Sequence, residues 1–376
     1  MMKIVALALS LLFLALPQGY ASAAYEPSGA KAAAVKAVNG SVIAELNLET
    51  SYPIAGLSRL PAILTLCLAF DDGILKEDAV ISVSNRAAGI SGPTAFLEKG
   101  EQISAAELIK AAVMISAGDA ICALAEGGFG SEDVFVGNVS VICEQLGLEI
   151  QLADCVGTGL TLSCFELLTL SERAMDSPTF IKWASVYMDN VNHPDGRNTE
   201  LVNANRMIRD YSGCVGLLTG SSRDDGYCGV FAAKRGDTSY VCCVIGCKNS
   251  EERFALASKM FDYAFANFDL VSLSQAGEIV AENVPVKRGT AKSVNVVTHD
   301  TEVMLLEKGQ VSGERSIELP HELSAPLYTD VAVGRICYYN SDGSPYAVIE
   351  LYPEVEIPGK SLWELLQRLI SSYLAA

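Results

Sequence analysis

Positive charge is scarce in this sequence. Its 376 residues carry 27 Lys and Arg against 45 Asp and Glu, a formal net charge of −18, and no basic run occurs along the chain. Nucleic acid is excluded as a partner, because binding it takes Lys and Arg in excess to neutralise phosphates. Histidine is scarcer still. His193, His299 and His321 stand far apart and no CxxC pair occurs, so no zinc spacing is present and neither a metal nor a cofactor is expected. The apolar run from Ile4 to Leu16 is shorter than the roughly 20 residues that a bilayer span needs.

That run does have a meaning. Lys3 precedes it, and Pro17, Gly19 and the small residues Ala21-Ser22-Ala23-Ala24 follow it, the pattern of a secretory signal peptide over residues 1–24. The mature chain is therefore expected outside the cytoplasm. Eleven cysteines are an odd number for an exported chain. They sit inside apolar stretches such as Val241-Cys242-Cys243-Val244 and read as small buried hydrophobes in a reducing habitat. Half of the residues are hydrophobic, enough for two domains with separate cores.

Hydrophobic period divides the remainder. Ala32–Val38 and Ser41–Leu46 flank Asn39-Gly40, a two-residue hairpin signal. Helices are expected over Leu60–Phe70, over Ala105–Ile115 and from about Ala117. Val215–Thr219, Tyr227–Ala233 and Ser239–Ile245 read as an antiparallel meander with a turn at Arg235-Gly236-Asp237, and an amphipathic helix over Glu251–Phe268 ends a first domain of residues 25–270. Short runs separated by Gly, Pro and Asp then predict a small all-β domain over 271–357, a sandwich. Residues 358–376 are expected to form an amphipathic helix too short to span a bilayer, suited to the membrane surface or to packing on its own domain.

Several blocks carry a more specific signal. Tyr52-Pro53-Ile54-Ala55-Gly56-Leu57-Ser58-Arg59 comes first, then Ile115-Ser116-Ala117-Gly118-Asp119-Ala120 with Leu124-Ala125-Glu126. Asn203-Ala204-Asn205, Gly216-Leu217-Leu218-Thr219-Gly220 and Glu252-Arg253 follow. In order and spacing they resemble the D-alanyl-D-alanine carboxypeptidases, the low-molecular-mass penicillin-binding proteins, and Val284–Gly289 with Ala325–Gly334 resembles the β-rich domain that follows in that family. The resemblance implies an α+β fold with an antiparallel sheet flanked by helices, and peptidoglycan stem peptides as substrate. It also implies a Ser nucleophile and a Lys base one turn apart on a helix, a Ser and an Asn on a second segment, and a Lys-Thr-Gly strand whose Lys pairs with the terminal carboxylate.

At those positions this sequence departs from the family. The nucleophile position is Gly56, which has no oxygen. The base position is Arg59, whose guanidinium stays protonated. Ser116 is kept, Gly118 replaces the Asn, and Leu218 replaces the carboxylate-binding Lys ahead of Thr219 and Gly220. In serine hydrolases loss of the nucleophile alone costs on the order of a million-fold in turnover. A non-catalytic scaffold or binding module of the cell wall is therefore expected, with peptidoglycan peptides or a cell-envelope protein as partner.

The competing reading is an active D,D-carboxypeptidase that recruits Ser58 or Ser116. Pro61 places the helix start at Ser58 or later, which makes Ser58 an N-cap, and Asp119 three residues after Ser116 reads as a capping box. Arg59 is either a new anion site or a water-exposed residue of the first helical turn. Gly220 is assigned to backbone geometry and Thr219 to the strand, while Leu218 is expected to make the cleft more apolar.

Overall fold

The structure, a computed structural model, describes residues 25–308, 315–340 and 343–360. The expected signal peptide over residues 1–24, and residues 361–376 of the expected C-terminal amphipathic helix, lie outside the described residues. Two compact units divide the described chain, one over Tyr25–Leu270 and one from Val271 onward.

The first unit is built on a six-stranded antiparallel sheet. Its order runs Thr219–Ser222, Gly226–Arg235, Thr238–Cys247, Ala32–Ala37, Val42–Leu46, and Cys214–Gly216 also pairs with Gly226–Arg235. Asn39 takes φ 59° in the first hairpin, a left-handed turn that Asn tolerates. Ala32, Ala33, Ala34 and Val35 are all fully buried, because both faces of the sheet are covered and alternation gives way to a continuous apolar run. Strand Thr238–Cys247 shows why. Cys242 Sγ lies 3.8 Å from Met260 Sδ of the Ser250–Asn267 helix, whereas the next residue, Cys243, meets Cys164 of the Cys164–Met175 helix. Successive side chains point to opposite faces, so a helix is packed on each.

The helical side carries Leu60–Asp71, Ala105–Ile115, Gly118–Phe129 and Glu132–Gln145. Ten consecutive residues of the first, Leu60 to Ala69, are buried. That is the pattern of a helix enclosed on all sides. The expected strand Val215–Thr219 is instead two short strands, Cys214–Gly216 and Thr219–Ser222. Leu217 and Leu218 between them are buried in the core, and driving two adjacent leucines inward interrupts the alternation that a single strand requires.

Among the described residues the second unit is all β. Its larger sheet has the order Arg315–Glu318, Gly334–Tyr339, Pro345–Pro353, Ser293–Val297, Ile279–Lys287, Leu323–Ser324, and a two-stranded sheet pairs Phe268–Ser274 with Glu302–Glu307. Leu273, Val294, Val296, Ile336, Leu351 and Ile357 are among the residues of a core of its own.

Candidate functional site

Ile54 and Leu57 are buried anchors of a short 3-10 turn, Ala55–Arg59, that leads into the Leu60–Asp71 helix. Gly56 lies between them and faces strand Thr219–Ser222. A Cβ built on Gly220 would lie 2.5 Å from Gly56 N and 2.8 Å from both Gly56 Cα and Leu57 N. Only a residue without a side chain allows two backbones to approach so closely. From this junction a cleft of ≈ 610 Å³ opens, lined by residues that include Gly56, Ser58, Arg59, Arg86, Ser116, Asp154, Thr219, Gly220 and Arg253.

Arg59 is buried rather than exposed to water. Its guanidinium donates to the carbonyl of Pro93 at 3.4 Å, to that of Ser91 at 3.3 Å and to that of Ser116. Burial lowers its pKa and the nearby Asp119 carboxylate opposes that shift, which leaves the group a cation. A guanidinium placed against carbonyl oxygens is a donor with no lone pair to give, so it cannot take a proton from anything in the cleft. Gly118 sits directly behind it. A Cβ there would stand 3.1 Å from Arg59 Nη2, 3.3 Å from Arg59 Cζ and 2.6 Å from Ile90 Cγ2. The long side chain at position 59 and the missing one at position 118 are two aspects of one packing arrangement.

Both serines are placed differently from the sequence expectation. Ser58 is not an N-cap. It lies inside the 3-10 turn, the capping position of the following helix is Arg59 without a side-chain bond, and Pro61 occupies the first helical turn. Ser58 Oγ instead donates to Val156 O at 3.1 Å, so a loop contact takes the hydroxyl that a cap would have used. Ser116 does not open the Gly118–Phe129 helix. It closes Ala105–Ile115 in the left-handed conformation, φ 52°, and Ala117 is the N-cap of the next helix. The carboxylate of Asp119 is bonded by the amides of Ala95, Leu97 and Ala120, leaving no group for a capping box.

The opposite wall is a turn held by Asp154, whose carboxylate accepts from Val156 N at 3.1 Å, Thr158 N at 3.0 Å and Thr158 Oγ1 at 2.6 Å. Partial burial would raise the pKa of Asp154, but the Thr158 hydroxyl and the two amides outweigh it and hold the group below the ordinary carboxylate value. Arg253 closes one end. It donates through Nη1 to Gly220 O at 3.2 Å and Cys228 O at 3.0 Å, and burial pulls its pKa down to about 10. Leu218 does not line the cleft. Its side chain belongs to the core, and Thr219, Gly220 and Ser221 form this edge instead. Asn203 and Asn205 are also buried, with Asn203 Oδ1 accepting from Asn205 N at 2.9 Å and Asn205 Oδ1 from Met207 N at 3.2 Å, so they stitch a turn.

The lining therefore holds three guanidiniums and one carboxylate, with neither lysine nor histidine among the described lining residues. In a chain of net charge −18 this is a local reversal of sign. Spacing along the sequence offered no metal motif, yet folding brings Cys122, Glu132 and Cys155 together behind the Asp154–Thr158 turn. These three come from two helices and a loop, which is why no short-range pattern announced them. All eleven cysteines are free thiols, and burial pushes those of Cys67, Cys242 and Cys243 well above the ordinary pKa.

Residues 20–249 match the family model of D-alanyl-D-alanine carboxypeptidase, and residues 268–358 match that of the penicillin-binding protein 5 C-terminal domain. The chain is 28% identical over 304 residues to the D-alanyl-D-alanine carboxypeptidase DacF of Bacillus subtilis, covering 79% of this chain and 78% of that protein. It is 25% identical over 341 residues to DacA of Escherichia coli, covering 86% and 83%. Among solved structures, penicillin binding protein 5 from Haemophilus influenzae superimposes with a TM-score of 0.77 at 22% identity, over 88% of this chain and 98% of that one. At that identity the superposition establishes a shared fold.

Proposed function

This chain belongs to the D-alanyl-D-alanine carboxypeptidase family, and on that premise we propose that it is an exported, non-catalytic member with a binding or scaffold role at the cell wall. One observation carries the reading. Where acyl transfer would begin, Gly56 offers no hydroxyl, and the side chain at position 59 is a buried guanidinium bonded to three carbonyls. A general base must be able to accept a proton at working pH, and an Arg held in this way does not.

Recruitment of another serine finds little support. Ser58 Oγ is bonded to Val156 O, and the described lining supplies no lysine or histidine to deprotonate either Ser58 or Ser116. The cleft has room for a short peptide, and its excess of guanidiniums suits a ligand with carboxylates, so stem peptides of peptidoglycan are the proposed occupant and an envelope protein the proposed alternative partner. The C-terminal segment 358–376 adds a proposed membrane-surface contact. Among the described residues no helix is long and apolar enough to cross a membrane.

Incubation of the mature chain with a fluorescent penicillin is the direct test. No labelled band should survive boiling in detergent, and no D-alanine should be released from a pentapeptide. A stable band, or release abolished by Ser58→Ala or Ser116→Ala, would refute the reading. Calorimetry with the same peptide separates a binding module from a scaffold, and vesicle co-sedimentation with and without residues 360–376 reads the membrane contact.

A further inference from the structure

Behind the Asp154–Thr158 wall, three side chains able to ligate a metal converge: Cys122 of the Gly118–Phe129 helix, Glu132 at the start of the Glu132–Gln145 helix, and Cys155 of the loop. Their two sulfurs and a carboxylate oxygen all lie within 4.8 Å of one another. Both cysteines are fully buried. The carboxylate is already oriented. Cys155 N donates to Glu132 Oε1 at 2.9 Å, Arg86 Nη2 to the same oxygen at 3.1 Å, and Arg86 Nε to Oε2 at 3.3 Å.

We propose that these residues form a binding site for a thiophilic divalent cation of the zinc class in the reduced protein, with Cys122 and Cys155 as thiolates and one Glu132 oxygen as ligands. Zinc takes thiolate sulfur at about 2.3 Å and carboxylate oxygen at about 2.0–2.2 Å in a tetrahedron, which places ligand atoms roughly 3.5–3.8 Å apart. Separations of at most 4.8 Å close to that spacing with shifts of about 1.3 Å or less. Charge also balances, since two thiolates and a carboxylate meet a dication and the Arg86 guanidinium. Arg86 stands where an outer partner of a ligating carboxylate belongs, fixing its orientation by hydrogen bonds. The ion replaces two thiol protons, which leave to solvent. Three protein ligands keep the fourth position for water, and the partly exposed Glu132 marks the side of entry. Bound there, the ion ties the loop that shapes one wall of the cleft to two helices. The inference stands apart from the proposed function, because it uses neither position 56 nor position 59.

The test uses the full mature chain, reduced with a phosphine that does not bind metal, stripped, and titrated with zinc against a chromophoric chelator. One tight ion per chain is expected. Arg86→Met should weaken it about 10–100-fold, and Cys122→Ser or Cys155→Ser should abolish it. Cobalt should give a thiolate-to-metal charge-transfer band that both Cys variants lack. Should those variants fail to fold, the cobalt spectrum of the unaltered chain and the zinc affinity of Glu132→Gln decide. Zinc uptake no tighter than in the double Cys variant would overturn the proposal. So would two fewer titratable thiols than the eleven cysteines in the denatured, unreduced protein, because the pair would then be a disulfide.

Discussion

Placing a methyl group on Gly118 asks whether the Arg59 guanidinium has taken the space of an absent side chain. The new Cβ would meet Ile90 Cγ2 at 2.6 Å and Arg59 at 3.1 and 3.3 Å. Ile90 is β-branched and stiff at its first side-chain torsion, and Arg59 is held by three carbonyls, so neither yields freely. Overpacking of this kind costs about 1–3 kcal/mol. Alanine recovers part of that, up to about 1 kcal/mol, through the smaller backbone entropy it loses in a helix, which leaves a net loss of roughly 1–2 kcal/mol. Arg59→Ala strips a charged donor from the carbonyls of Ser91, Pro93 and Ser116. Hydrogen bonds to charged groups contribute about 1.5–3 kcal/mol each and are not additive, so a loss of about 2–4 kcal/mol is expected. In the double variant the guanidinium no longer opposes the methyl, and Gly118→Ala should cost about 1 kcal/mol less than it does alone. Urea unfolding followed by Trp183 fluorescence in a Trp363→Phe background reports on the first unit. Losses that add within about 0.5 kcal/mol would refute the argument, because independent sites behave in that way.

Gly220→Ala drives a Cβ into backbone atoms of Gly56 and Leu57, which cannot rotate away, and should destabilise by about 3 kcal/mol. Gly137→Ala, in a helix with no atom within 4 Å of the new methyl, should stabilise by about 0.5–1 kcal/mol in the same assay. Equal effects from the two would show that the close approach at Gly220 is not real. Acid unfolding provides another check. Asp154 and Glu132 both titrate below their ordinary values of 3.8 and 4.5, so the stability they confer is complete above those values and is lost as pH falls through the folded-state pKa. Melting temperature should therefore drop steeply below about pH 4, near the ordinary carboxylate range, and Asp154→Asn should flatten that drop. An unchanged acid slope in Asp154→Asn would remove the turn bonds from the account.

Much was legible because it is local. The period of Ala105–Ile115, the Asn39-Gly40 turn and the order of the blocks from Tyr52 to Arg253 follow from residue-by-residue rules of propensity, spacing and chemistry. So does the absence of a hydroxyl at position 56 and of an amine at position 59, since a residue type is visible without coordinates. Tertiary structure decided where those groups lie. Arg59 reads as an anion site or a solvated side chain until three distant carbonyls enclose it, Leu218 reads as part of the cleft wall until the break between two strands turns it into the core, and Ser116 reads as a cap until a left-handed residue separates two helices. Cys122, Glu132 and Cys155 meet only through packing. The sequence fixes what each residue can do, whereas burial and the closing of long loops select which of those capacities are used, because contacts between distant segments leave no period to read.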